Sequence, residues 1–220
     1  MVRNPTSFSR AKPQFKPQPT VLILCEDSKS GKIYLEDASK HFRAQAKVEI
    51  VHCGKTDPKG VINEAIKRQA KFDQVFCVID RDTHPSFNEA IHLASSHLKV
   101  TIIKSYPCFE FWLLLHFGLT RKPYTAAGNH SAGDLLNQDL RSKAGMESYN
   151  KGSATSTFAS LLGDQFNNAR RLSPQVLAQA ISEQEFNPST ELHLLIDRFE
   201  ELSEPQPATI STSTRPHKTT

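Results

Sequence analysis

Val75-Phe76-Cys77-Val78-Ile79-Asp80-Arg81-Asp82 is the stretch that decides the fold. Five apolar residues run without a polar break and stop at two carboxylates. A short continuous apolar run rich in β-branched residues is the pattern of a strand buried on both faces, as in a parallel sheet. Ligands of open α/β sheets sit outside the carboxyl ends of the strands, so this strand delivers Asp80 and Asp82 to the functional edge. The two acids are two residues apart, and on extended backbone their side chains point the same way. Like charges held that close repel, and one pKa rises unless a cation neutralises them. Two carboxylates in an oxygen-rich setting suit Mg²⁺ or Mn²⁺. The plainer alternative is a strand end whose two solvated acids open a turn.

Working outward, Thr20-Val21-Leu22-Ile23-Leu24-Cys25-Glu26 repeats the theme: a buried apolar run that ends in an acid. A helix is predicted over 28–44, with Ser28 or Ser30 as its cap and Tyr34, Leu35, Ala38 and Phe42 near helical spacing. Lys29 and Lys32 fall near its first turn, where an anion is welcome. They are either a solvated face or a phosphate-contacting lip beside Glu26. A strand over 47–52, a helix from Pro58 to about Ala70, the strand ending at Ile79, a helix over 85–98 and a strand over 99–104 complete a β-α-β-α-β-α-β order. That order implies an α/β fold with a parallel sheet and right-handed crossovers.

Pro107 then opens an apolar helix, Cys108-Phe109-Glu110-Phe111-Trp112-Leu113-Leu114-Leu115-His116-Phe117, closed by Gly118. Glu110 lies in its first turn. There it is either a dipole-favoured cap or, since an acid in so apolar a segment needs a partner, a member of the acidic site. His116 fits a hydrogen-bonded core residue better than a ligand. From about Thr120 no strand is expected. Helices are read over 135–140, 155–172, 174–181 and 190–202, with Lys143, Lys151, Arg170 and Arg171 making this part locally basic. Asn187-Pro188-Ser189-Thr190 reads as a cap signal before the last helix.

Composition narrows the class. The chain has 220 residues and four widely spaced cysteines with no C-x-x-C pair, which argues against zinc and for buried free thiols of a cytoplasmic protein. No apolar run approaches the roughly 20 residues that span a membrane, and the Pro-rich start has no signal-peptide core. The net charge of +4 comes from the ends. Without residues 1–20 and 203–220, 21 basic residues face 22 acidic ones, so any grip on nucleic acid must come from a local patch. The chain thus divides into a disordered basic tail (1–19), an α/β core (20–119), a helical extension (120–202) and a disordered tail (203–220).

A strand-ending Glu26 with a D-x-D pair 54 residues later matches the signature of the TOPRIM metal site. There the aspartates hold Mg²⁺, and the Glu ligates metal or moves a proton in phosphodiester chemistry. Asp80-Arg81-Asp82-Thr83 also matches the D-x-D-x-T of HAD phosphatases. That family normally opens with this motif and supplies a later acidic pair, which is not seen here. Glycosyltransferases use D-x-D as well but give no role to Glu26. Ser30-Gly31-Lys32 is not a Walker A loop, because the upstream Gly is missing.

The chain resembles the RloB family of TOPRIM-type bacterial defence proteins over roughly residues 20–202. The resemblance is carried by Cys25-Glu26 through Tyr34-Leu35, Val78-Ile79-Asp80-Arg81-Asp82, the Pro107 to Phe117 stretch, Tyr149 to Lys151, and Asn187-Pro188-Ser189-Thr190-Glu191-Leu192-His193. It implies a TOPRIM-like core and a Mg²⁺- or Mn²⁺-dependent nuclease that cleaves DNA or RNA such as tRNA. It also implies an ABC/SMC-like ATPase encoded nearby, a role in anti-phage defence and abortive infection, and room for a homodimer. Glu26, Asp80 and Asp82 are the implied metal ligands and, with Glu110, the implied catalytic residues. The helical extension is the expected docking surface, being unneeded to complete the sheet. Two departures stand out: the family usually has Gly after the first Glu and another Glu five residues on, where this chain has Asp27 and Gly31. The rival readings are a D-x-D phosphatase and a non-catalytic TOPRIM-derived binding module.

Overall fold

The computed structural model describes residues 17–44, 47–81, 84–152 and 156–204. Both predicted tails lie outside these residues except for 17–19 and 203–204, and so does Asp82.

A five-stranded sheet in the order β2-β1-β3-β4-β5 forms the centre. Strands β1 (Val21–Cys25), β2 (Val48–His52), β3 (Gln74–Asp80) and β4 (Val100–Tyr106) are mutually parallel, as the β-α-β order demands. Between them run α1 (Ser30–His41), α2 (Pro58–Arg68) and α3 (Phe87–Ala94). Asp57 caps α2 by accepting from Gly60 N at 2.8 Å, with Pro58 next in the first turn.

The two-residue period of the strands sorts their side chains onto two packed faces. Leu22, Leu24, Val75, Cys77 and Ile79 meet Val61, Ile62 and Ala65 of α2 and Phe87 and Ala90 of α3. Val21, Ile23, Cys25 and Val78 meet Tyr34, Leu35 and Ala38 of α1, together with Trp112 and Leu113 of α4 (Glu110–Leu115) and Ile196 and Phe199 of α7 (Leu192–Ser203). Leu22, Ile23, Leu24 and Ile79 are fully buried, each contributing about 1.5–3 kcal/mol over an exposed position, which keeps β1 and β3 central. Asp80 follows Val78 on the second face, the one α4 covers.

The C-terminal part differs from the sequence expectation in two ways. First, it supplies a strand. β5 (Ser189–Thr190) pairs antiparallel with Tyr106 and Ser105 of β4, so the extension completes the sheet after all. Two polar residues carry no hydrophobic alternation, and their pairing depends on distant partners. Asn187 exchanges hydrogen bonds with the Tyr124 backbone, the Arg121 guanidinium donates to Pro188 O at 2.6 Å, and Ser105 and Thr190 hydroxyls meet at 2.9 Å. The Asn-Pro-Ser-Thr element is therefore an edge strand first, with Thr190 Oγ1 also accepting from Leu192 N at the start of α7. The expectation that the extension is unneeded to complete the sheet is thereby corrected.

Second, the break expected at Pro174 is absent. α6 (Asp164–Glu183) runs through it. An interior proline costs about 3 kcal/mol. Here Leu172, Ser173 and Val176 are buried around it, and Ser173 Oγ donates to Thr190 O while lying 2.8 Å from His193 Nδ1. α5 (Ala132–Arg141) starts in a reciprocal Ser131/Asp134 capping box. His116 is a core residue as expected: it is buried, 3.2 Å from Tyr34 Oη, and burial lowers its pKa to about 4. Cys25, Cys77 and Cys108 are buried free thiols, whereas Cys53 is only partly covered. Among the described residues no helix is long and apolar enough to cross a membrane.

Candidate active site

The carboxyl ends of β1 and β3 are neighbours because the strands pair in register, Cys25 opposite Val78. The ladder continues one step further, with Glu26 N donating to Val78 O at 3.1 Å. Glu26 then turns its side chain across the strand end. Its Oε2 accepts from Asp80 N at 3.1 Å, and its Oε1 lies 3.1 Å from His84 Nε2. The two acids separated by 54 residues in sequence are thus joined by a direct hydrogen bond.

Glu110 reaches the same place from α4. It is fully buried. It caps nothing: the start of α4 has no side-chain cap. Instead Tyr149 Oη donates to Glu110 Oε1 at 3.0 Å, while Oε2 accepts no hydrogen bond and has the Lys151 ammonium 3.5 Å away. Of the two roles open for Glu110, the cap is not made, and the carboxylate instead faces Tyr149 and Lys151 within electrostatic reach of Asp80.

The electrostatics agree with the crowding. Asp80 is held well above the usual carboxylate range, chiefly by burial, and further by Glu110, Glu26 and Asp27, against the pull of Lys151. Burial works against the charge of Lys151, yet Glu110, Cys108, Asp80 and Asp27 together raise its pKa above that of an ordinary lysine. The Cys108 thiol is pushed up by burial and then by Glu110 and Asp80, which keeps it protonated and inert.

Asp27 explains the start of α1. Neither Ser28 nor Ser30 caps it. Asp27 accepts from Lys29 N at 2.9 Å and from Gly31 N at 2.6 Å, a charged acceptor outcompeting a hydroxyl at the positive end of the helix. Gly31 has its own reason: a Cβ there would stand 3.3 Å from the Phe109 ring, so a side chain would crowd α4's entry. The two departures from the family pattern are therefore one local arrangement, with the extra carboxylate at 27 and none at 31. Asp27→Ala is expected to lower stability by about 1 kcal/mol, read as a shifted urea midpoint at constant slope.

Tyr149, Lys151, His84 and Asp27 were not among the residues singled out from sequence as site members. In sequence Lys151 belongs to a basic stretch and to the Tyr149 to Lys151 run of the family resemblance. The other three bases of that stretch have separate placements: Arg170 pairs with Asp197 and Glu200, Arg171 donates to Asn168, and Lys143 borders a groove with Asp139. The available signal was the Tyr-Asn-Lys run within the family resemblance. Of the proposed lysine lip, Lys32 pairs with Glu36, whereas the Lys29 stem runs beside Gly152.

Carboxylate oxygens are hard donors of the kind Mg²⁺ takes, and the cluster's carboxylates outnumber its one lysine. Among the described residues no three His, Cys, Asp or Glu side chains already surround one point, and Asp82 lies outside them. The donor chemistry of these carboxylates fits a divalent ion, and among the described residues Glu110 Oε2 has no hydrogen bond, only the Lys151 ammonium nearby.

No curated protein and no solved structure matched this chain. The family described as RloB-like protein matches residues 21–199, spanning the whole sheet and the acidic cluster. On that match the chain belongs to the RloB-like protein family.

Proposed function

We propose that the chain is a metal-dependent nuclease that hydrolyses phosphodiester bonds in nucleic acid, and that it is the effector of an anti-phage defence system run with an ATPase partner. The observation that supports the chemistry most is the gathering of Glu26, Asp80 and Glu110 at one sheet edge beside Lys151. A Mg²⁺ or Mn²⁺ ion held by Glu26, Asp80 and Asp82 would supply positive charge to a phosphate and acidity to a bound water.

The chain's own residues have distinct parts in this reading. Burial and acidic neighbours raise the pKa of Asp80, and a cation arriving beside it would lower it. Glu26 orients the end of β3 through its bond to Asp80 N and exchanges protons with solvent through His84. Lys151, half exposed, presents its ammonium to the phosphate being cut, and buried Glu110 and Tyr149 hold the turn that carries it. The defence role and the ATPase rest on the family, and the absence of a Walker A loop fits a chain that leaves nucleotide hydrolysis to a partner.

The decisive experiment combines the purified full-length chain with labelled RNA, tRNA and DNA, in Mg²⁺, Mn²⁺ or EDTA, alone and with the ATPase encoded beside it. Cleavage that needs the metal and increases with the ATPase is the expected result. Hydrolysis of phosphomonoesters, with phosphate trapped on Asp80, would replace this reading with a phosphatase. Absence of all phosphate chemistry with the partner present would leave a binding module.

A further inference from the structure

A cleft of about 260 Å³ opens beside the acidic cluster. Ser30, Ser148, Tyr149, Asn150, Thr157 and Ser160 line it, with the largely buried Met146 among them. None of the described residues lining it is charged. Two of them also belong to the neighbourhood of the carboxylates. Tyr149 donates to Glu110, and Ser30 Oγ accepts from the backbone N of Gly152, the residue after Lys151. Tyr149 therefore touches both the cleft and Glu110.

The lining has a definite chemistry. Hydroxyls and an amide offer hydrogen bonds to the edge of a polar ring. Tyr149 and the Met146 side chain offer contact to its face. Nothing in the lining neutralises a phosphate, but Lys151 stands just beyond Tyr149. A nucleoside matches the cleft, and its phosphate matches the lysine. Bases in a duplex hide both edge and face, whereas unpaired bases expose them for stacking and hydrogen bonding.

We propose that this cleft binds the nucleoside of one unpaired nucleotide adjoining the phosphodiester to be cut, so that the chain acts on single-stranded or looped nucleic acid. The proposal rests on the nuclease reading for the reaction next door; the binding itself does not require cleavage.

The test uses the full-length chain carrying Asp80→Asn, which keeps the strand whole, and fluorescence anisotropy with labelled RNA and DNA strands and the matching duplexes. Single strands are expected to bind about tenfold or more tighter than duplexes. Ser148→Trp and Ser160→Trp fill the cleft from two exposed rims, so the fold is retained, checked by circular dichroism and melting. Each is expected to weaken single-strand binding by about tenfold while leaving duplex binding unchanged. A preference for RNA adds the 2′-hydroxyl to the contacts, and equal binding of RNA and DNA assigns recognition to the base; both support the proposal.

Equal affinity for strands and duplexes overturns it, as does unaltered single-strand binding in both tryptophan variants. Tight binding of a free nucleoside monophosphate with no preference among oligonucleotides also overturns it, in favour of a small effector. The expected binding pattern without cleavage by the unsubstituted chain and its ATPase would retain the cleft and remove the nuclease reading. Cleavage unaffected by either tryptophan would do the reverse.

Discussion

Asp80→Asn is expected to reduce cleavage by about 10³-fold or more while the protein keeps its fold and melts at a higher temperature at neutral pH. Asparagine preserves the shape of the side chain and removes the charge a divalent ion and its water would need. The stability gain follows from the direction of the pKa shift. The folded-state pKa of Asp80 lies well above the unfolded value, chiefly through burial and then through Glu110, Glu26 and Asp27, against Lys151. Such a group contributes nothing adverse below its unfolded pKa, where both states are protonated. As pH rises from there through the folded pKa, the unfolded state ionises first and stability is lost. The advantage of the asparagine variant should accordingly widen from acidic to neutral pH. Thermal melts across pH in EDTA measure this, and repeating them in Mg²⁺ adds a second readout. An ion that binds only the folded state raises the melting temperature of the unsubstituted chain and not of the variant. Equal pH profiles for the two proteins would show that Asp80 is solvated, and the acidic cluster would then lose its central member.

Glu110→Gln is expected to cost about 10²–10³-fold in cleavage, with a melting temperature close to that of the parent. The carboxylate is fully buried, so nothing else can enter the space it fills. Glutamine keeps the acceptor that Tyr149 Oη donates to at 3.0 Å and loses the charge that faces Lys151 at 3.5 Å. Lys151 is half exposed and returns to water at little cost, which is why stability should barely change. Without the buried anion, however, the ammonium is no longer held beside Asp80. A positioning role predicts a specific split: Lys151→Ala should lose activity to a similar degree, and the double variant should lose little more than either single one. Additive losses in the double variant would mean that Glu110 acts independently of the lysine. A large drop in melting temperature with proportionate loss of activity would reduce Glu110 to a packing element.

The sheet was legible because its determinants are local. An unbroken apolar run needs two covered faces, and β1, β3 and β4 have no way to obtain them except between helices. The acids at the ends of β1 and β3 were legible for the same reason, since a run that must be buried has to stop where charge begins. Three features were not. Whether Glu110 capped a helix or faced the site turned on what stood opposite its first turn, and that is Tyr149 and Lys151, about 40 residues away in sequence. The continuity of α6 through Pro174 depended on the burial around it. The strand at Ser189–Thr190 depended on an edge of β4 waiting for it and on Asn187, Arg121 and Ser105 to hold it there.

By itself, then, the sequence determined that this chain builds a mostly parallel α/β sheet and sends Glu26 and Asp80 to one edge, because strand period and burial act within a few residues. Only the tertiary structure decided that Glu110 meets Tyr149 and Lys151 within electrostatic reach of Asp80, and that the C-terminal part completes the sheet. Contacts between residues far apart in the chain leave no periodic trace, and a buried charge discloses its partner only once the chain has closed around it.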